Sequence, residues 1–313
     1  MADAIVAAAY GGPEVLQPIT LPEPQPEPGE VLIAVRAAGV NPMDWKLYGG
    51  AFGSDPAALP MRLGFEVAGV VAAVGDGVTS WRAGDEVIAR VEGGYADLVT
   101  ADANAVVRRP PTLDWPQAAG LLLGGATAAH AIAATAVSSG DTVLVHGAAG
   151  GVGHLVAQLA IVGGATVVGT ASQRNHDALR RLGVVPVTYG PGLADRVRAA
   201  APDGIDATVD TVGTDEALDV SLELVPDRGR IATIANFTRG RTAGIRLLGG
   251  GPGADPGTAI RQAAVPELVR LAGAGRITVL VDRTFPLAAA ADAHRYGMAG
   301  HGRGRIALTV NQS

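Results

Sequence analysis

The sequence predicts an α/β protein in two parts, a β-rich region and a doubly wound parallel sheet. Three observations carry this. The first ~115 residues are short apolar runs parted by Gly- and Pro-bearing turns. Past Pro116, strand-like runs alternate with Ala- and Leu-rich helical segments, the pattern of a parallel sheet covered on both faces. Between one such strand and helix stands a glycine-rich turn, Gly147-Ala-Ala-Gly-Gly-Val-Gly153.

In the first part, strands are expected at 5–9, 30–38, 66–74, 86–90 and 95–100. A Pro-rich run at 22–28 is a stiff extended connector, because Pro fixes φ and removes a donor. Gly75-Asp76-Gly77 and Gly93-Gly94 supply turns. Residues 117–137 form helix, interrupted at Gly124-Gly125. Strands then follow at 142–146, 166–170, 184–188, 207–210, 231–234 and 277–281, with helices at 151–162, 173–182, 215–224 and 263–272. Gly183 suits the position just past a helix end. The stretch 249–257 reads as a surface loop, and the tail from Asp282 as a return to the β-rich part.

Composition narrows the function. The 313 residues leave room for about two domains, and 48% hydrophobic content argues against global disorder. With no Cys there is neither a disulfide framework nor a thiolate metal site. A net charge of −6 without basic runs does not fit a nucleic-acid protein. Apolar stretches are broken by Gly or a charge before ~18 residues, so no membrane span is expected. The first ten residues carry Asp3 and no base, unlike a secretory signal. The expectation is a soluble, cytoplasmic protein. Lys46 is the one lysine beside 23 arginines.

A strand, a glycine turn and a helix start together suit a dinucleotide pyrophosphate. Glycine lets the backbone approach the phosphates, and the helix start offers free N–H groups and a favourable dipole. Ala149, Gly150, Gly151, Val152 and Gly153 are the expected cradle. The G-x-G-x-x-G register falls on Ala148, Gly150 and Gly153, so its first position is Ala. The end of the next strand selects the cofactor. It reads Val168-Gly-Thr-Ala-Ser-Gln-Arg174, with no acid for a ribose hydroxyl until Asp177. Ser172 and Arg174 suit a 2′-phosphate, which points to NADPH. Arg174 also has a plainer reading, as a solvated residue near a helix start.

Eight pieces recur in one order: Gly11-Gly-Pro-Glu-Val-Leu16, Ala38-Gly-Val-Asn-Pro-Met-Asp-Trp-Lys46, Gly64-Phe-Glu-Val-Ala-Gly-Val-Val71, Gly84-Asp-Glu-Val87, Gly94-Tyr-Ala-Asp97, the glycine turn, Asp210-Thr-Val-Gly213 and Gly302-Arg-Gly-Arg-Ile306. In these the chain resembles the zinc-free medium-chain dehydrogenase/reductase superfamily, in its quinone oxidoreductase-like (zeta-crystallin-like) branch. The resemblance implies a GroES-like catalytic domain from residues 1–117 and 259–313, a Rossmann NADP-binding domain over 118–258, a substrate cleft where they meet, and a homodimer. Zinc-bearing relatives carry Cys and His where this chain has Asn41 or a near neighbour and Phe65, though Glu66 remains. No metal is expected. Of the six His residues, His130 and His146 lie in apolar surroundings and His154 in a helix, while His176, His294 and His301 are expected at the surface.

Without a Lewis acid, the chemistry that fits is hydride transfer from NADPH to a quinone or to the β-carbon of an α,β-unsaturated carbonyl. A donor must then stabilise charge growing on the acceptor oxygen. By resemblance, Asn41 and Asp44 sit beside the nicotinamide and Lys46 in or near the cleft. Asn41, Lys46 and Tyr48 are the catalytic candidates, and Trp45, Phe52 and Phe65 the candidate pocket walls. The same residues have plainer readings: a turn at Asn41-Pro42, a helix cap at Asp44, a surface lysine at 46, core aromatics. Resemblance adds Thr127 near the nicotinamide, Tyr189 beside the adenosine phosphate, Val212 over the nicotinamide ribose, and Asn236 and Phe237 near the carboxamide. Two other functions stay open, an enoyl reductase of a biosynthetic pathway and a non-catalytic NADPH-binding structural or regulatory protein.

Overall fold

The computed structural model describes residues 1–300 and 302–310, so the expectation for His301 lies outside the described residues. The chain divides into two compact units. One joins Met1–Leu123 to the segment from Val269 onward; the other is Gly124–Leu268.

In chain order the first stretch holds β1 (Ala2–Ala7), β2 (Leu16–Leu21), β3 (Glu30–Val40), α1 (Pro42–Tyr48), β4 (Met61–Arg62), β5 (Glu66–Val74), β6 (Glu86–Arg90), β7 (Leu98–Asp102), β8 (Val106–Arg108), α2 (Trp115–Ala118) and the start of α3 (Leu122–Ala134). The middle holds β9 (Thr142–His146), α4 (Gly153–Val162), β10 (Thr166–Thr170), α5 (His176–Arg181), β11 (Val185–Val187), α6 (Leu193–Ala200), β12 (Ala207–Asp210), α7 (Asp215–Leu224), β13 (Ile231–Thr233), α8 (Phe237–Ala243), β14 (Arg246–Leu247) and α9 (Thr258–Gly273). Then come β15 (Val281–Pro286), α10 (Ala290–Met298) and β16 (Arg305–Thr309).

In the first unit, a seven-stranded sheet runs β15-β16-β3-β5-β6-β8, with β7 also on β3, and a smaller sheet runs β2-β1-β4. The eleven residues of β3 hold the larger sheet together. Its amino-terminal half pairs with β7 and its carboxyl-terminal half with β16 on the same side, while β5 covers the other. Val31, Ile33 and Val35 alternate into a core shared with Val67, Val71, Val87, Tyr95, Ile306 and Leu308.

In the second unit, six parallel strands run β11-β10-β9-β12-β13-β14. This is the doubly wound order of dinucleotide-binding sheets, with its crevice outside the carboxyl ends where the order reverses beside β9. Val143, Val145, Val167 and Val209 are wholly buried, as strands covered on both faces require.

Several expectations shift. The helix over 117–137 breaks at 119–121, whereas Gly124 and Gly125 lie inside α3, where Gly125 lets Leu268 come close. Taken across that break, Trp115–Ala134 is long and apolar enough to cross a bilayer, but 61% of its apolar 18-residue window is buried in the protein. The strand expected at 277–281 begins only at Val281, because β16 takes its partners from there onward. Ile277 and Val279 are buried without being strand. The two compact units meet in the chain at 123/124 and 268/269.

Candidate active site

In the second unit the site is built from the turns that leave the carboxyl ends of the strands. β9 ends at His146, and Gly147 follows with φ +78°. The Gly147 N–H donates to Thr170 Oγ1 at the end of β10 (3.0 Å). The chain folds back tightly enough that a Cβ on Gly153 would stand 2.1 Å from the Gly147 carbonyl oxygen. α4 therefore starts at Gly153, two residues later than expected, and Gly151 and Val152 belong to the turn. Among the described residues, the N–H groups of Gly151, Val152 and Gly153 donate to no protein acceptor. Orphan donors at a helix start, on a turn where Gly153 has no room for a side chain, fit a pyrophosphate. Ala149 is buried beneath the turn and Gly150 is partly open.

At the end of β10, Ser172 is partly exposed and Arg174 exposed, in a short 3₁₀ turn. The Asn175 side chain donates to Ser172 Oγ (3.2 Å). Asp177, the nearest acid, pairs with Arg180 at 2.7 Å. Tyr189 is 57% exposed just past β11, and Val212 is 47% exposed just past β12. Asn236 ties the turn together, with Nδ2 donating to the Gly213 carbonyl (3.0 Å) and Oδ1 accepting the Arg239 N–H. Phe237 lies beneath the backbone of Gly251 in the 249–257 loop. Thr127 Oγ1 accepts from Arg261 Nη1 (3.1 Å), and Arg261 Nε approaches His130 Nδ1 (3.4 Å). His130 Nε2 meets Asp255 Oδ2 (3.1 Å), which fastens the 249–257 loop to α3.

In the first unit, α1 and its cap concentrate the other predicted residues, most of them bonded or packed within the protein. Asn41 is 3% exposed. Its amide donates to Glu66 Oε1 (3.2 Å) and accepts from Arg305 Nη2 (2.7 Å). Arg305 Nη2 also pairs closely with Glu66 Oε1, and Glu66 Oε2 accepts the Leu123 N–H (2.8 Å). Asp44 is buried, taking the N–H of Asn41 (2.7 Å) and of Gly64 (3.0 Å), and burial pushes its carboxyl up to about 7. The helix-cap reading of Asp44 is therefore the one its bonds bear out.

Tyr48 is corrected. It is not an open donor but a core residue, 1% exposed, with its hydroxyl on His294 Nδ1 (2.9 Å). Burial pushes the hydroxyl above the ordinary tyrosine range. His294, expected at the surface, is wholly buried between Tyr48 and Tyr95, whose hydroxyl meets Nε2 at 3.0 Å. Burial pushes its ring down to about 4. His176 is buried too, with Nε2 facing the Ala171 carbonyl (3.3 Å). Trp45, partly buried, packs edge-on against His294 and against this core. Asp44, Trp45 and Tyr48 share one helix face, at spacings that point inward together. Lys46 lies off that face, partly buried, and makes no side-chain hydrogen bond or ion pair among the described residues. Phe52 is 43% exposed on a loop, and Phe65 is partly buried beside Glu66.

These buried groups fix a pH dependence. Burial holds His294 at about 4 against an ordinary 6.5 and Asp44 at about 7 against 3.8, and it pushes His146 below its ordinary value against the pull of the Asp210 charge. Between these limits the unfolded chain carries two more histidine protons, and the native state one more carboxyl proton. The balance favours the unfolded state by one proton. Stability is therefore expected to fall, as pH drops from 6.5 towards 4, by about 1.4 kcal/mol per pH unit. Asp44→Asn removes the opposing proton and should nearly double the slope. Urea midpoints across this range measure it; equal slopes would return Asp44 to an ordinary carboxylate.

Sequence reasoning missed Arg305, the partner of Glu66. It also missed Asp210, although it quoted Asp210-Thr-Val-Gly213. An acid at the carboxyl end of a buried strand was the available signal.

The alcohol dehydrogenase GroES-like domain model matches residues 27–136, and the zinc-binding dehydrogenase model residues 182–308. The zinc in the second description does not fit this chain: both Glu66 oxygens are engaged by protein donors. Among the described residues no three His, Cys, Asp or Glu converge to hold a metal. A quinone oxidoreductase of Rattus norvegicus is 35% identical over 74% of this chain and 72% of its own. A quinone oxidoreductase of Pseudomonas aeruginosa is 34% identical over 94% and 95%. The chloroplastic NADPH-dependent alkenal/one oxidoreductase of Arabidopsis thaliana is 30% identical over 97% and 78%. Among solved structures, an NAD-dependent alcohol dehydrogenase superposes with TM-score 0.87 at 28% identity, covering 99% of this chain and 100% of its own. A mycobacterial protein complexed with NADPH gives 0.84 at 32%, covering 99% and 100%. The CurK enoyl reductase gives 0.84 at 25%, covering 99% of each chain. A GroES-like unit, a doubly wound unit with a dinucleotide turn, and near full-length likeness converge: the chain belongs to the quinone oxidoreductase family of the medium-chain dehydrogenase/reductases, which are nicotinamide-dependent oxidoreductases.

Proposed function

We propose that the protein is an NADPH-dependent reductase that passes hydride to a quinone or to the β-carbon of an α,β-unsaturated carbonyl, without a metal. The observation that carries the cofactor choice is the end of β10. Ser172 and Arg174 stand there, and the nearest acid, Asp177, is already paired with Arg180. A 2′-phosphate finds a hydroxyl and a guanidinium rather than a carboxylate.

When bound, the dinucleotide supplies the hydride. The chain's own residues do the rest. The N–H groups of Gly151, Val152 and Gly153 hold the pyrophosphate, and Ser172 and Arg174 hold the 2′-phosphate. Lys46, with its ammonium uncommitted, is the donor for charge growing on the acceptor oxygen. The likeness to the CurK enoyl reductase supports a second reading, an acyl enoyl reductase using the same hydride geometry.

Oxidation of NADPH and of NADH with a panel of quinones, enals and enoyl thioesters tests these readings. NADPH is expected to be preferred, and Arg174→Ala should raise its KM about 10-fold while leaving that of NADH unchanged. A preference for NADH in the wild type would overturn the cofactor assignment, and saturable binding without turnover of any acceptor would favour a non-catalytic role. Lys46→Arg is expected to lower kcat at unchanged Tm, because a compact ammonium and a planar guanidinium are not interchangeable. Wild-type kcat would return Lys46 to the surface.

A further inference from the structure

We infer that Asp210 is a positioning residue that locks the turns at the carboxyl edge of the second unit into the shape a dinucleotide meets. The inference rests on the dinucleotide occupying that edge. Asp210 ends β12, beside β9 at the point where the strand order reverses, and it is wholly buried. Its Oδ1 accepts the N–H of Val212 (3.0 Å) and of Gly213 (2.9 Å). Its Oδ2 accepts the hydroxyl of Thr233 (2.7 Å), at the end of β13.

Thr233 extends the lock to the next turn. Its Oγ1 accepts the N–H groups of Ala235 and Asn236, both at 3.1 Å. Asn236 then donates back to the Gly213 carbonyl, closing the ring. On the other side, Thr211 donates both its N–H (3.2 Å) and its hydroxyl (2.7 Å) to the His146 carbonyl, next to the glycine turn. There a Cβ on Gly147 would stand 2.5 Å from Val212. Two neighbouring strand-to-helix turns are thus held in register through one carboxylate, and Thr211 ties the first of them to the end of β9.

The chemistry requires a carboxylate. With two N–H groups on its lone pairs, Thr233 Oγ1 has only its proton left and must donate. Asp210 must therefore accept on both oxygens. An amide fails in either orientation: its NH₂ faces the Thr233 hydroxyl proton or the two backbone N–H groups. Asp210→Asn keeps the size and breaks the lock. Thr233→Val breaks it while leaving the carboxylate and its two backbone donors; Thr233→Ser preserves it.

The test pairs a ligand-free readout with a ligand-bound one. In the apo protein, backbone hydrogen exchange at 211–214 and 234–237 should be slow in wild type and Thr233→Ser. It should be fast in Asp210→Asn and Thr233→Val, with β9 and β10 unchanged. In NADPH titration, Kd should rise about 10- to 100-fold in those two variants and stay near wild type in Thr233→Ser. Wild-type Kd in a folded Asp210→Asn or Thr233→Val variant, or fast exchange at these turns in wild type, overturns the inference. If Asp210→Asn does not fold, Thr233→Val decides. Wild-type protein that takes NADH in place of NADPH sinks the proposed cofactor alone, and the same variants are then titrated with NADH. Binding of neither dinucleotide overturns both readings.

Discussion

Gly153→Ala is expected to weaken dinucleotide binding by ~100-fold or more, through loss of several charge-assisted hydrogen bonds at once. The new methyl would lie 2.1 Å from the Gly147 carbonyl oxygen and 2.8 Å from its carbon. Both are backbone atoms, so no side-chain rotation relieves the contact. Gly147 is held in place by its N–H, which donates to Thr170 Oγ1. The turn must open or α4 must slide, and either withdraws the N–H groups of Gly151, Val152 and Gly153 from a common focus. Gly150→Ala is the control. Its nearest neighbour would be the Gly147 carbonyl at 3.2 Å, so the fold should absorb it with a smaller loss of stability. NADPH titration and thermal melts on both variants separate the effects. Wild-type affinity in Gly153→Ala would mean that the phosphates sit elsewhere.

The second large effect is on stability. Arg305→Met is expected to cost about 3–5 kcal/mol, because removing one partner of a buried ion pair leaves the other charge uncompensated. Glu66 is 1% exposed and Arg305 4%. Without the guanidinium, Asn41 Oδ1 loses its donor and Glu66 keeps only an amide and the Leu123 N–H. The Tm should fall by roughly 10 °C for a unit of this size. Adding Glu66→Gln to Arg305→Met should restore much of it, since a neutral pair leaves no buried charge. If the single variant melts like wild type, the pair contributes nothing to the fold.

What was legible in the sequence was local. Strands 142–146, 166–170, 207–210, 66–74 and 86–90 carry their own apolar runs, and each appears in the structure at those bounds. The glycine turn and the acid-free segment after β10 are also contiguous in sequence. The rest depended on partners far along the chain. β4 has two residues and β8 three, too short for any periodicity, and β14 exists because β13 lies beside it. α8 begins at Phe237 because Asn236 caps it, and nothing in its Arg- and Thr-bearing sequence announces a helix. At α1 the residue types pointed to chemistry, but two of them, Trp45 and Tyr48, pack against His294, which lies 246 residues from Tyr48. That contact makes Tyr48 core, with Trp45 packed against it. Glu66 read as a remnant of a metal motif because Arg305, 239 residues away, was out of view.

The long reach of β3 has a consequence for the order in which the protein can mature during synthesis. Its carboxyl-terminal half, Ala37 to Val40, pairs with Thr309, Leu308, Ala307 and Ile306, which are made only after the whole of the doubly wound unit. Until then that half of β3 is a bare edge, the kind of surface that recruits stray strands. The buried Glu66 waits for its counter-charge through the same interval. Gly124–Leu268, by contrast, is contiguous and emerges whole. The doubly wound unit can therefore be finished while its older neighbour is still open, and β16 acts as the clasp that covers the bare half of β3.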